Sequence, residues 1–146
     1  RGRMLLGAAL AGTAIEHSML GAAHSAANPL TAHFDVIHGQ AVGMMLPHVI
    51  RFNAVDEAAA AGYADLIAGT PVAPTNGTAS AEALAQEIET SLDTAGLPRA
   101  LADCGVQEAM LDTLSEEAAQ QWTASFNPRD ITAADFAALY QKAFTS

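Results

Sequence analysis

The chain has 146 residues, which suits one domain able to bury a core of useful size. Hydrophobic residues make up 51% but aromatics only 5%, so much of the apolar content is alanine, favouring close-packed helices over a sheet of branched and aromatic side chains. A formal charge of −10 from 16 acidic and 6 basic residues argues against nucleic acid and anionic membrane surfaces as partners, and a single cysteine, Cys104, excludes an internal disulfide framework and fits a reducing, cytoplasmic setting.

The opening RGRMLLGAALAGTAIEHSMLGAA has basic residues before an apolar run, as a secretory signal does, but Glu16 and His17 interrupt it. No uncharged run reaches the ~18 residues of a membrane span. Leu5, Ala8, Ala9, Gly12, Ile15, Met19 and Ala23 recur at three- and four-residue steps, which predicts a first helix from near Met4 to about Ala27. Opening in mid-helix reads as a piece of a longer protein. Asn28-Pro29 is predicted to end this helix, because proline lacks a donor and disfavours helix in the residue before it. A short segment, Leu30 to Val36, follows.

A second apolar helix is expected from Gln40 to about Phe52, kinked or restarted at Pro47, and a third from Asp56 or Glu57 through Ile67. Gly69 to Ser80 is rich in Gly, Pro, Ser and Thr and reads as a surface loop. Ser80 is a capping residue for the next helix, which Gly96-Leu-Pro ends. A fifth helix is expected near Gln107 with Met110, Leu111 and Leu114, and a sixth capped at Ser115 and running toward Ser125. Thr132-Ala-Ala-Asp caps a last helix ending near Phe144. With no strand pattern of useful length, the expectation is one all-α domain over residues 1–146, a bundle of about seven helices.

Three of the five histidines fall in GAAHSAANPLTAHFDVIHG, Gly21 to Gly39. In one continuous helix His24 and His38, 14 residues apart, would stand about 21 Å apart at ~1.5 Å per residue. A shared first-row metal needs bonds of only ~2.0–2.2 Å to each ring. A common ion therefore demands a chain reversal between them, and Asn28-Pro29 is a plausible place for it. The alternative stays open that both are ordinary polar groups flanking a loop. Asp35, three residues before His38, is a weak candidate for a third ligand.

His17 lies about 10 Å along a helix from His24, too far to share an ion. His33 reads as solvent-facing, and His48, beside Leu46-Pro47, as a packed or turn-capping side chain. Cys104 has no neighbouring base and reads as an incidental thiol. Glu82, Glu87, Glu89 and Asp93 read as solvated surface. Neither a nucleotide-binding glycine loop nor a nucleophile elbow is present.

These residues also carry a resemblance. Ala11 to Ala54 holds Gly21-x-x-His24, Pro29-Leu30, His38-Gly39, Leu46-Pro47 and Asn53. In order and spacing this closely resembles the signature region of the iron-containing (group III) alcohol dehydrogenases. Phe126 to Phe144, with Asn127-Pro128-Arg129, looks like the family's closing segment and final helix. Between these stretches the match is mainly helical pattern.

Members of this family are NAD(P)-dependent dehydrogenases in which an α/β domain binds NAD or NADP and an all-helical, dehydroquinate synthase-like domain carries a divalent metal. By the resemblance, this chain is the C-terminal helical domain. His24 and His38 match the last two of three metal-binding histidines. The first histidine and an aspartate would belong to a D-x-x-x-H segment upstream of Arg1, with the dinucleotide-binding domain. The implied metal is Fe²⁺, alternatively Zn²⁺, acting as a Lewis acid while an alcohol is oxidised, or an aldehyde or ketone reduced. Asn28 stands where many members have a histidine near the nicotinamide. It can hydrogen-bond to the cofactor but cannot titrate near neutral pH. The resemblance thus implies a small alcohol or aldehyde substrate, a companion N-terminal domain as partner and a possible homo-oligomer, with no nucleic acid or membrane. On its own the chain is expected to be inactive or nearly so. The competing reading is a non-enzymatic helical module that keeps the fold for binding or structure.

Overall fold

The alanine-rich pattern folds entirely into helices and turns. The computed structural model describes residues 1–74 and 79–145, and among these it contains seven α-helices and no strand. They are α1 (Gly2–Ser18), α2 (Ala22–Phe34), α3 (His38–Asn53), α4 (Glu57–Ile67), α5 (Ser80–Ala95), α6 (Leu111–Gln120) and α7 (Ala133–Phe144). Short 3₁₀ turns occupy Leu101–Cys104, Glu108–Met110 and Trp122–Phe126. Part of the expected Gly69–Ser80 loop, residues 75–78, lies outside the described residues.

The first predicted helix is two. It breaks at Met19, which has φ 62°, and α2 starts after Gly21. At this glycine the chain passes close against Asn127. A Cβ on Gly21 would stand 3.3 Å from Asn127 Oδ1, the same oxygen that accepts from the Ala22 N–H at 3.4 Å.

Asn28-Pro29, the expected boundary, lies inside α2. An interior proline costs a backbone hydrogen bond and crowds the preceding turn. Here its ring is fully buried with Leu30, and Tyr140 of α7 donates its hydroxyl to the Ala26 carbonyl at 2.6 Å. Packing outweighs local preference. Pro47 likewise sits buried within α3, which neither stops nor restarts there.

The chain reversal falls instead at Asp35, in the left-handed region at φ 53°, ψ 22°. Helical rise carries position 34 about 15 Å from position 24, and residues 35–37 can return about 10 Å when extended. Aspartate tolerates this backbone region and β-branched residues do not. Asp35→Val is therefore expected to destabilise the fold by about 1–2 kcal/mol and Asp35→Gly to leave it nearly unchanged, as read by urea denaturation.

The fifth and sixth predicted helices are one. The 3₁₀ turn at Glu108 runs directly into α6, and Ser115, the expected cap, is buried mid-helix with its Oγ donating to the Leu111 carbonyl at 2.6 Å. A serine can satisfy itself on the previous turn in this way without ending a helix. Ser80 is the first residue of α5 rather than its cap, which is Ala79. The expected ends hold at Gly96, left-handed at φ 67°, and at Thr132, whose hydroxyl and Asp135 form a reciprocal cap.

One core joins α2, α3, α6 and α7 through Ala26, Ala27, Leu30, Met44, Met45, Leu114, Phe136 and Tyr140. A smaller cluster of Ile50, Ala81 and Ala85 seats α5 on α3. Helix α1 buries no residue and leaves Met4, Leu5, Leu6 and Leu10 exposed. The α1 part of its predicted apolar stripe therefore stays exposed. No helix among the described residues is long and apolar enough to cross a membrane.

Candidate metal centre

His24 lies in the first turn of α2, and His38 opens α3. The return through Asp35 brings their ring centres to 5.4 Å, tilted by 51°. A nitrogen bound at ~2.0–2.1 Å places a metal about 3 Å from its ring centre, so two imidazoles at a tetrahedral angle have centres about 5 Å apart. The pair therefore fits one shared divalent ion, and two imidazole nitrogens suit iron or zinc.

Electrostatics favours the form that ligates. The pKa of His24 is lowered, first by burial and then by His38. A neutral imidazole has its lone pair available, so less protonation competes with a metal at neutral pH.

Two nitrogens alone do not make a complete metal site. Among the described residues no group of three or more His, Cys, Asp or Glu side chains could hold an ion. Asp35 sits in the turn outside α3 and does not join the pair in such a group. Catalytic sites usually take three protein ligands, so a complete centre needs donors from beyond these residues.

Asn28 lies one turn beyond His24 on α2 and donates its Nδ2 to Gln121 Oε1 at 2.9 Å. Gln121 in turn donates Nε2 to the Glu117 carbonyl at 3.4 Å. Nothing in the sequence singles out Gln121, 93 positions from its partner. On the other side of His24 an open cleft of about 260 Å³ is lined by Leu20, Ala23, Leu46, Val49 and Tyr63.

The remaining motif residues build a clasp around this site. Asn53, at the end of α3, and Asn127 exchange side-chain hydrogen bonds of 3.1 and 2.7 Å. Arg129 donates to the Phe52 carbonyl at 2.8 Å and stacks on the Phe52 ring, 3.9 Å from its centre. With the Gly21–Asn127 approach, these contacts tie the start of α2 to the end of α3.

The other histidines stand apart. His33 pairs with Glu117 at 2.8 Å rather than facing solvent alone. His48 is buried, and His17 lies on the exposed α1. Cys104 accepts from Gln40 Nε2 at 3.3 Å, and burial pushes its thiol pKa up, away from a nucleophile's. The acidic residues of α5 are not all simply solvated. Arg51 bridges Glu82 at 2.8 Å and Glu89 at 2.5 Å, and Arg99 reaches Glu89 and Asp93.

The structure is a helical domain with a histidine pair at a helix reversal, beside an asparagine clasp. The chain belongs to the Fe-containing alcohol dehydrogenase family, whose C-terminal model matches residues 1–144. It is 32% identical over 145 residues to a 1,3-propanediol dehydrogenase of Klebsiella pneumoniae, with 99% of this chain and 37% of that protein covered. A lactaldehyde reductase of Escherichia coli strain K12 is 30% identical over 143 residues, covering 97% of this chain and 37% of the relative. The solved structure of an alcohol dehydrogenase from Oenococcus oeni superposes with a TM-score of 0.80 at 26% identity, covering 92% of this chain and 35% of that one. The chain thus spans little more than a third of the length of these two curated relatives.

Proposed function

We propose that this chain is the metal-binding helical domain of an NAD- or NADP-dependent alcohol dehydrogenase, acting on a small alcohol, aldehyde or ketone. The single observation that carries the reading is the His24–His38 pair, with ring centres 5.4 Å apart across the turn between α2 and α3. In this reading His24 and His38 hold Fe²⁺, alternatively Zn²⁺. The remaining ligands and the dinucleotide-binding domain come from sequence outside residues 1–146. When bound, the metal supplies Lewis acidity toward the substrate oxygen and the nicotinamide supplies the hydride chemistry.

The chain's own residues orient and exclude. The Asn53–Asn127 clasp fixes where α2 begins, and with it the direction of the His24 ring. Leu20, Ala23, Leu46 and Val49 give the adjoining cleft an apolar side, which suits a small substrate's carbon atoms, beside the polar Asn53, Tyr63 and Asn127. Asn28 faces the cofactor as a hydrogen-bonding group that neither takes up nor releases a proton near neutral pH.

The exposed Met4, Leu5, Leu6 and Leu10 of α1 support a companion domain, since a contiguous exposed apolar patch commonly marks an interaction surface. In this reading the assembled enzyme, as monomer or homo-oligomer, works in the cytoplasm, and the 146 residues alone turn over little or no alcohol. Titrating Fe²⁺ or Zn²⁺ into the isolated chain tests the half-site. His24→Ala and His38→Ala are each expected to weaken binding at least about tenfold, since even partners behind a ligand cost that much when removed. Equal affinities in wild type and both variants would leave the non-enzymatic module as the better reading.

A further inference from the structure

We propose that Gln121 is a positioning residue that locks the Asn28 amide with Oδ1 as its free end, so that position 28 receives a hydrogen-bond donor from the cofactor. This rests on the reading of Asn28 as a group beside the nicotinamide. Hydrogen-bond polarity fixes the direction of both amides. The backbone carbonyl of Glu117 can only accept, and the Gln121 amide lies 3.4 Å from it through Nε2. Gln121 must then present Oε1 on its other side. Asn28 meets that oxygen at 2.9 Å, and only its NH₂ can do so, because two carbonyl oxygens at that distance repel.

Each amide thereby fixes the next, starting from a main-chain atom that cannot rotate. Gln121 is itself anchored, its backbone N–H donating to the Ala118 carbonyl at 3.1 Å at the end of α6. Among the described residues nothing donates to Asn28 Oδ1. The asparagine therefore offers its neighbours an acceptor, at every pH at which the protein is folded, because an amide does not titrate. The ligand group it takes carries an N–H or O–H: the carboxamide of a nicotinamide ring or a ribose hydroxyl.

The ¹⁵N-labelled chain tests the lock directly. The side-chain NH₂ signal of Asn28, assigned by its loss in Asn28→Ala, is expected to show a downfield, exchange-protected proton. Gln121→Met should return it to the position of a free amide, and Gln121→Glu, whose carboxylate still accepts, should restore it. A signal unmoved in Gln121→Met overturns the proposal, whatever Asn28 contacts. Failure of Gln121→Glu to restore it does the same, and needs no loss of the native fold to be read.

The ligand half is read in the two-domain enzyme. There Gln121→Met and Asn28→Ala are expected to raise KM for the dinucleotide about three- to tenfold, the worth of one net hydrogen bond, with a smaller change in kcat. A 3-acetylpyridine dinucleotide, which lacks the carboxamide N–H, should erase the difference between wild type and Gln121→Met if the carboxamide is the donor. A persisting difference assigns the ribose hydroxyl. An unchanged KM in both variants, with the amide signal moved as expected, refutes the placement of Asn28 beside the cofactor and leaves the Gln121 lock standing.

Discussion

Lowering the pH from neutrality to 4 is expected to remove up to about 3 kcal/mol of folding stability through His48 alone. This histidine is 9% exposed, on α3 between α5 and α7. Its pKa falls from 6.5 to about 4, first through burial and then through Arg51, with Glu89 opposing and Lys142 and Arg99 adding to the fall. A small cavity of about 10 Å³ beside it, lined by Met44, Leu92, Glu89 and Arg99, has room for about one water, too little to hydrate an imidazolium. The proton is disfavoured first by burial and then by the nearby positive charges, which together outweigh Glu89.

The direction follows from the lowered folded value. Above pH 6.5 the imidazole is neutral in both states and no stability is lost. Between 6.5 and about 4 the unfolded chain takes up a proton that the folded chain refuses, and stability declines by ~1.36 kcal/mol for each unit. Below about 4 both states are protonated and the loss levels off. Glu82 and Asp135, held low by Arg51 and by Thr132 respectively, stabilise the fold above their ordinary pKa and lose that contribution only as pH falls through their lowered values. Their losses therefore lie mostly at the acid end of the window. Urea melts of wild type and His48→Gln between pH 7 and 4 isolate the histidine: the stability difference between the two proteins should shrink by about 3 kcal/mol over that range. A difference independent of pH would show that His48 is not held neutral.

The all-helical class and the histidine spacing were legible before any coordinates, because alanine content and the separation of His24 from His38 are one-dimensional facts. The location of the reversal was not. Local rules place a break at Asn28-Pro29, whereas Pro29 stays inside α2 with its ring fully buried, on a helix that Tyr140 ties down at Ala26, 114 positions away. The turn fell to Asp35, whose left-handed backbone has only a weak sequence signal. Similarly, Ser115 looked like a cap because a serine before two glutamates does so often, and only its burial shows otherwise. The Asn53–Asn127 clasp and the Gln121–Asn28 amide pair join positions 74 and 93 residues apart. Spacing within a segment cannot reveal such pairs. Asn53, Asn127 and Arg129 were visible as parts of a resemblance, and the structure supplies the physical reason they sit there.

Tyr140→Ala is expected to destabilise the domain by about 3–5 kcal/mol, the range for deleting a buried aromatic side chain. The ring is fully buried between α7 and α2 in the main core, and its hydroxyl donates to the Ala26 carbonyl. Burial, helped by Glu117, raises the phenol pKa, so the hydroxyl keeps its proton and remains a donor across the whole working range. Tyr140→Phe separates the two contributions: it keeps the ring and leaves the Ala26 carbonyl with only its helical partner, at a cost of about 1–2 kcal/mol. The two variants also distinguish stability from site assembly. Ala26 lies two residues from His24 on α2, so the phenol holds the same stretch of helix that aims the imidazole. If Tyr140 clamps that stretch, Tyr140→Phe should weaken Zn²⁺ binding at the histidine pair a few-fold under conditions where the protein is fully folded, while a surface variant on α7 such as Gln141→Ala leaves it unchanged. Denaturant melts and metal titration on the same samples measure both effects, and a Tyr140→Phe protein that loses stability but binds metal normally would confine the tyrosine to the core.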